Sequence, residues 1–221
     1  RAAPPVDCLR RVLLPLVEMR GARLELSVLR RGYYPKGGGE VQVQVEPAPR
    51  LEPFVVEDAG AVERVEVHAH VARLAREVAE RMSDGARLHL PQGLRIEPTL
   101  DVCPPALSFG PGGAIVLRAV TRRTLLGAAQ VAERGSRAEQ LGQMAAEALG
   151  HDLAAGATLD LHAADQMLTF LALAADASVF HAREISSHAR TAMWLLERLA
   201  GTRFSLEAAP RGIRVQVRPA R

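Results

Sequence analysis

The sequence predicts an α/β protein of the α+β type, in which a small unit is repeated and a smaller α/β segment is inserted between copies. Three observations carry this. The order helix, strand, glycine-rich turn, strand comes three times along the 221 residues. The endings Val43-Gln44-Val45-Glu46-Pro47 and Val215-Gln216-Val217-Arg218-Pro219 read as copies of one another. Two breaks, 48–59 with prolines at 47, 49 and 53, and 150–156 with a glycine at each end, bracket the middle of the chain. Repetition of one supersecondary unit is how a chain builds a core from pieces that cannot bury their apolar faces alone.

Taken in order, Pro4-Pro5 leads into a helix whose Leu9, Val12, Leu13 and Leu16 recur at helical spacing. Pro15 should kink it or end its regular part, and Gly21 closes it. Residues 23–29 and 40–46 alternate as strands about a glycine-rich turn. The second copy is expected over 70–120: a helix from His70 to about Met82, a strand at 87–90, then Gly110-Pro111-Gly112-Gly113 before a strand at 114–120. Two further helices follow. Residues 137–149 carry Leu141, Met144, Ala145 and Ala148, and 163–175 carry Met167, Leu168, Leu171 and Ala174, with 150–156 as the loop between them. After a strand at 178–182, the third copy is a helix from His188 with Ala192, Leu195, Leu196 and Leu199 on one face and Gly201 as its stop. Strands at 204–208 and 213–217 complete it around Pro210-Arg211-Gly212. The two breaks divide the chain into a main body, 1–57 and 158–221, and an inserted domain, 58–157.

Composition sets limits on function. Hydrophobic residues make up 48% and charged residues 24%, the balance of an ordinary globular protein. The net charge of +3 is mildly basic, and every cationic side chain except Lys36 is arginine, which suits bidentate phosphate contacts and supports a nucleic-acid partner weakly. Cys8 and Cys103 are too few for a disulfide framework and point to a reducing, cytoplasmic setting. No apolar run approaches membrane-spanning length, and no signal peptide opens the chain. The chain opens on Arg1 and reaches its first helix without a preceding strand, so upstream sequence is expected.

Chemistry concentrates at a few positions. Glu184-Ile185-Ser186-Ser187-His188 sets a histidine at the first turn of an amphipathic helix, with two serines suited to the N-cap. Backbone N–H groups at such a start attract phosphate, and the positive end of the dipole disfavours an imidazolium, so His188 has the setting of a nucleophile. An ordinary helix start explains the same octet. His162-Ala163-Ala164-Asp165-Gln166 puts a ring, a carboxylate and an amide at another helix start. In Arg31-Gly32-Tyr33-Tyr34-Pro35-Lys36-Gly37-Gly38-Gly39, three consecutive glycines permit close backbone approach, and Arg30, Arg31 and Lys36 could face phosphates. The spacing matches neither the P-loop nor the dinucleotide fingerprint, and a wide hairpin turn suffices for the glycines. His68 and His70 share a strand face and His89 lies on another strand. No acidic or cysteine ligand at metal spacing accompanies them, so no metal site is assigned. No nucleophile-elbow serine or Cys–His signature is present.

The run 31–40, RGYYPKGGGE, resembles the signature of the RNA 3'-terminal phosphate cyclase family. The likeness extends to Ala3-Pro4-Pro5-Val6-Asp7, Gly110-Pro111-Gly112, Glu133-Arg134-Gly135-Ser136-Arg137-Ala138-Glu139, residues 162–166 and Ser187-His188. It covers essentially the whole chain and the C-terminal part of the family's length. It implies a large domain of βαβαββ units, like the C-terminal domain of a translation initiation factor, interrupted by a smaller α/β domain. It also implies a reaction: ATP adenylates a histidine, AMP passes to an RNA 3'-phosphate, and the neighbouring 2'-hydroxyl displaces AMP to close a 2',3'-cyclic phosphate. The family's nucleophile falls on His188, its nucleotide-binding run on His162, Ala163, Ala164, Asp165 and Gln166, and a position beside the adenine on Pro5. ATP, RNA 3'-phosphate ends and a divalent metal, Mg or Mn, are the implied ligands. The family's upstream acidic metal contact, arginines and glutamine have no counterpart in this sequence, so no metal ligand maps. The alternative is a non-catalytic relative serving as an RNA-binding or ribosome-assembly module; such relatives lack the histidine that stands here at 188.

Overall fold

A computed structural model describes residues 3–220. A helical run, α1, occupies residues 6–18, followed by β1 (Arg23–Arg30), β2 (Glu40–Glu46) and the short β3 (Val55–Val56). The middle of the chain supplies β4 (Val62–Ala72), α2 (Arg76–His89), β5 (Ile96–Cys103), β6 (Gly112–Thr121), β7 (Leu125–Val131) and α3 (Ala138–Ala154). The remainder is α4 (Leu161–Ala172), β8 (Ser178–Ala182), α5 (Ser187–Leu199), β9 (Arg203–Ala209) and β10 (Gly212–Arg218). These mixed helices and sheets bear out the α/β class.

Three sheets form. β1 and β2 pair antiparallel as a ribbon, with Leu26 opposite Val43. The second sheet runs β3-β8-β10-β9, with β3 parallel to β8 and the other pairs antiparallel. In chain order its parts are β3, α4, β8, α5, β9 and β10, a βαβαββ unit with residues 57–160 lying between its first strand and first helix. The third sheet runs β5-β4-β6-β7, with β5 parallel to β4.

Two apolar cores follow from these sheets. One gathers Leu16, Phe54, Leu159, Met167, Leu171, Phe180, Val215 and Val217, together with Val116 from the middle segment. The other closes within the middle segment around Val65, Val67, Met82, Ile115, Leu117, Leu126, Leu141 and Leu149. Strand alternation assigns the faces of the third sheet. Val65, Val67, Ala69 and Val71 of β4 point to α2 and α3, so Glu66, His68 and His70 point the other way, toward α1 and the end of β1. Helices α2 and α3 meet closely because glycine lies at the contact: a Cβ on Gly142 would come within 2.0 Å of the Met82 carbonyl oxygen.

The duplicated Val-Gln-Val endings share a conformation but not an environment. Val215 and Val217 are fully buried in central β10, whereas Val43 and Val45 are 49% and 58% exposed on the two-stranded ribbon. The second expected copy is corrected. His70 lies on an 11-residue strand rather than at a helix start, residues 87–89 end α2, and the strand after it is Ile96–Cys103. β5 and β6 then flank β4 instead of pairing with each other, so this segment is not a copy of the unit. The expected loop at 150–156 is also corrected, because α3 runs through Gly150 to Ala154.

Candidate active site

Helix α4 begins where Asp160 caps it. The fully buried carboxylate accepts from the backbone N–H groups of His162 (3.0 Å) and Ala163 (2.9 Å), and its second oxygen accepts from Gly127 N of β7 (2.8 Å). Burial pushes this carboxyl up to about 6 against the opposing pull of those N–H donors. The cap fixes the register of the run 162–166. Ala163 and Ala164 turn into the core, while His162, Asp165 and Gln166 stay half-buried. With Ala164 N bonded to the Asp160 carbonyl, the two alanines offer neither side-chain polarity nor a free N–H. Any contribution they make is to spacing and shape.

Helix α5 begins as the sequence predicts. Ser186 is the N-cap, its Oγ accepting from Ala189 N at 3.0 Å and its carbonyl from Arg190 N at 3.1 Å. The same Oγ donates to the Asp165 carboxylate, 2.7 and 2.8 Å from its two oxygens. One hydroxyl therefore joins the two candidate runs, which lie 21 residues apart. His188 is exposed in the first turn of α5. Helical geometry leaves the Ser187 and His188 N–H groups without intrahelical acceptors, the arrangement that receives a phosphate oxygen. Pro5 lies apart from this junction as the N-cap of α1, whose middle packs on α4.

In the glycine-rich string the two arginines are taken up by internal contacts. Arg30 is engaged with the Gly38 carbonyl (2.8 Å), Glu40 (2.8 Å) and the Phe109 ring (4.6 Å to its centroid). Arg31 is buried and committed to Asp7, while Lys36 remains exposed beside Gly110. A Cβ on Gly38 would come within 2.5 Å of the Phe109 ring, and one on Gly112 within 2.2 Å of Tyr33. The string 31–39 and the loop 109–113 thus interlock, and Gly38 and Gly112 are required by close packing across the joint between body and middle segment.

Behind that interlock lies a buried polar cluster that the sequence did not reveal. Arg31 Nη1 and Nη2 donate to Asp7 at 2.6 and 3.1 Å, and Nη1 also donates to His70 Nε2 at 3.0 Å. Arg11 Nη2 donates to His68 Nδ1 at 3.0 Å. Burial, reinforced by the arginines, lowers His68 to about 3 and His70 to about 4. Burial alone would raise Asp7, but Arg31 and the neighbouring histidines hold it down at about 2. Asp7, His68 and His70 place ligand atoms within 4.8 Å of one another, which raises the question of a metal. Arginine only donates, so His68 Nδ1 and His70 Nε2 must accept, and the remaining nitrogens of the neutral rings carry hydrogen. Those nitrogens, His68 Nε2 and His70 Nδ1, are buried and make no hydrogen bond, the latter lying 3.5 Å from an Asp7 oxygen. With the arginines in place, the trio offers a metal lone pairs from Asp7 alone, so these residues do not fit the family's divalent metal. His89, expected on a strand, instead ends α2 with its ring 2.8 Å from the Gly85 carbonyl.

Fold and site together define an α/β protein in which a βαβαββ unit carries an exposed histidine at a helix start, bonded through its cap to a second helix start. The family model described as RNA 3'-terminal phosphate cyclase matches residues 1–206. The chain is 44% identical over 219 residues to an RNA 3'-terminal phosphate cyclase of Nitrosospira multiformis, covering 99% of this chain and 62% of the relative. Matches of 40% identity to proteins of the same name from Ignicoccus hospitalis and Hyperthermus butylicus each cover 86% of this chain, and 55% and 54% of those relatives. The chain belongs to the RNA 3'-terminal phosphate cyclase family and spans somewhat over half the length of these relatives. Among the described residues, no helix is long and apolar enough to cross a membrane.

Proposed function

We propose that this chain carries the nucleotidyl-transfer centre of an ATP-dependent RNA 3'-phosphate cyclase, with His188 as nucleophile. The observation that carries the reading is the Ser186 bridge: it ties Asp165, in the run expected to hold the nucleotide, to the cap of the helix presenting His188. An imidazole nitrogen of His188 attacks the α-phosphorus of ATP, an N–P bond forms, and the bond to the β-phosphate oxygen breaks with pyrophosphate leaving. The Ser187 and His188 N–H groups stand where they can hold an α-phosphate oxygen as its charge rises. An oxygen of the RNA 3'-phosphate then displaces His188 from phosphorus. Finally the 2'-hydroxyl attacks the terminal phosphorus, AMP leaves, and the ring closes. His162 and Gln166 flank the nucleotide, and Ala163 and Ala164 seat their helix on the core. No step is assigned to a metal.

Incubating the protein with ATP labelled at the α-phosphate tests this. A covalent adenylate labile to mild acid and stable to alkali is expected, as for a phosphoramidate. His188→Asn should lose the label while retaining its fold and ATP binding; His162→Asn should bind ATP more weakly but still label at saturating ATP. Wild-type labelling in His188→Asn would assign the nucleophile elsewhere. RNA binding without any label would favour the non-catalytic module.

A further inference from the structure

The buried cluster of Asp7, His68 and His70 takes no part in that chemistry, and it lies far from the points where the middle segment is joined to the body. The chain enters and leaves that segment at one end of the third sheet. There the Arg122 and Arg123 N–H groups donate to the Ala61 and Ala59 carbonyls, Val62 pairs with Thr121, and Thr124 Oγ1 donates to the Thr158 carbonyl at 2.8 Å. At the other end of β4, Ala72 pairs with Gly112. His70 stands near this far end, about 25 Å along the strand from Val62. The connections and the cluster are thus placed as a hinge and a latch.

The latch holds only while its rings are neutral. Each ring is met on its accepting nitrogen by a guanidinium N–H, Arg11 on His68 Nδ1 and Arg31 on His70 Nε2, both at 3.0 Å. A proton on either nitrogen would face a donor, and the hydrogen bond would become a repulsion between cations. The surroundings offer no free counter-charge. Helix α1 presents Asp7, Arg10 and Arg11, and the string presents Arg31 and Tyr33, the tyrosine ring 6.3 Å from that of His70. β4 adds Glu66, β5 adds Asp101 and β6 adds Arg118. All three carboxylates are already engaged: Asp7 and Asp101 with Arg31, the latter at 3.9 Å, and Glu66 with Arg118. The four arginines outnumber them before either ring gains a charge.

We propose that this cluster is an acid-sensitive latch: charging His68 and His70 releases the far end of the middle segment from α1 and the string 31–39, and the segment turns about its two connections while both cores stay folded. The apolar contact of Val116 and Ala129 with the body core resists this opening, so the joint stays closed while the rings are neutral. In the closed joint burial and the arginines lower the rings to about 3 and 4, whereas in an opened joint they reach water and titrate near 6.5. Opening then takes up a proton at each ring. Its equilibrium constant should rise roughly two hundredfold between pH 6.5 and pH 5.

Amide hydrogen exchange followed residue by residue by NMR, each rate taken relative to an unstructured chain at the same pH, is the test. The reporter is the Arg31 N–H, which donates across the joint to the Leu107 carbonyl at 2.8 Å. Val67 of β4 and Val215 of β10, on the central strands of their sheets, report on the two cores. Arg31 protection should fall roughly two hundredfold from pH 6.5 to pH 5, and at pH 5 the core amides should remain at least about a hundredfold better protected than Arg31. In a His68→Gln, His70→Gln variant, whose amide oxygens can accept from the arginines at either pH, Arg31 protection should not change with pH. His70→Gln alone leaves one titrating ring, and the fall should be roughly fifteenfold. Should neither variant fold, the wild-type comparison of Arg31 with the core amides decides the question. Arg31 and core amides with equal protection at pH 5 would mean that acid unfolds the whole molecule, and the latch is then rejected. Protection of Arg31 that is flat with pH in the wild type, or that falls equally in the folded double variant, rejects it as well.

Discussion

Asp160 illustrates how one side chain serves two elements at a cost. Its carboxylate caps α4 and satisfies Gly127 N of β7, yet it is wholly buried and pushed up to about 6. Replacing it with Asn keeps an acceptor for the cap but turns an amide donor toward the Gly127 N–H, leaving that buried donor unpaired. A loss of roughly 1–3 kcal/mol is expected, measured by denaturant unfolding at pH 7. Titration adds a signed test. His68 and His70 fall from 6.5 to about 3 and 4 in the folded state, so their contribution is complete above 6.5 and is lost as pH falls. Asp160 and Asp152 are raised, so theirs is complete below the ordinary carboxylate value and declines as pH rises. Between pH 7 and pH 5 the two histidines outweigh Asp160, and the protein should lose stability on acidification. In a His68→Gln, His70→Gln double variant the slope should reverse; an unchanged slope would show that these rings do not titrate as their burial requires. The Ser186 cap and His188 were legible in the sequence because capping is local chemistry. Asp160 carries the same local signal, an aspartate before an apolar periodic run, but a helix expected to start at 163 leaves it outside the cap position. Asp7 with Arg31, and Arg11 with His68, were not legible, because partners 24 and 57 residues apart leave no local trace.

Among the elements, α1 shows a helix altered by a single ring. Pro15 has no N–H, so in a regular helix the Arg11 carbonyl would lose its donor. The helix instead widens into a π turn over Leu9–Leu13, and Arg118 Nη1 of β6 donates to the Arg11 carbonyl at 2.9 Å. Arg118 also pairs with Glu66 through Nε at 2.9 Å, tying the helix to the middle sheet. Arg118→Met should therefore destabilise by roughly 2 kcal/mol, the cost of unpairing a buried carbonyl and loosening an ion pair. In a Pro15→Ala background an N–H becomes available to Arg11, and the same substitution should cost about 1 kcal/mol less, a coupling that a double-mutant cycle reads directly. Strict additivity would mean that Arg118 does not compensate for the proline. The ribbon and the last hairpin were readable because alternation and turn residues agree there. The end of β4 is hard to read because Ala69, Ala72 and Ala75 suit either period, so the pattern predicts a helix from His70 where the strand continues to Ala72.

At the scale of the molecule, the arrangement of ends around β8 decides whether the middle is an insertion. Val56 of β3 pairs with Phe180, and the Thr158 N–H donates to the carbonyl of the next residue, His181, at 2.8 Å. The chain therefore leaves the second sheet and returns to it at adjacent points of one strand, as expected for a domain placed within another. Apart from Val116, Leu125 and Ala129, which pack on the body core, the middle segment has its own core, and many of the links between the two are polar: Arg31 with His70, Arg11 with His68, Asp160 with Gly127, and Arg183 with Asp152 at 2.8 Å. The adjacency of these ends left no trace in the sequence, since β3 and β8, neighbours in the second sheet, are far apart in the chain. We propose that residues 58–157 form an inserted domain. Joining 57 to 158 through about four glycine and serine residues bridges points that lie only a strand spacing or two apart. The resulting body should fold cooperatively, though less stably, because Val116, Leu125 and Ala129 no longer cover α1. Residues 58–157 expressed alone should also fold, with amide exchange slowest in β4 and β6, the central strands of their sheet. An uncooperative, rapidly exchanging body together with an unfolded isolated segment would mean that the two cores form only in each other's presence, and that the segment belongs to the main fold.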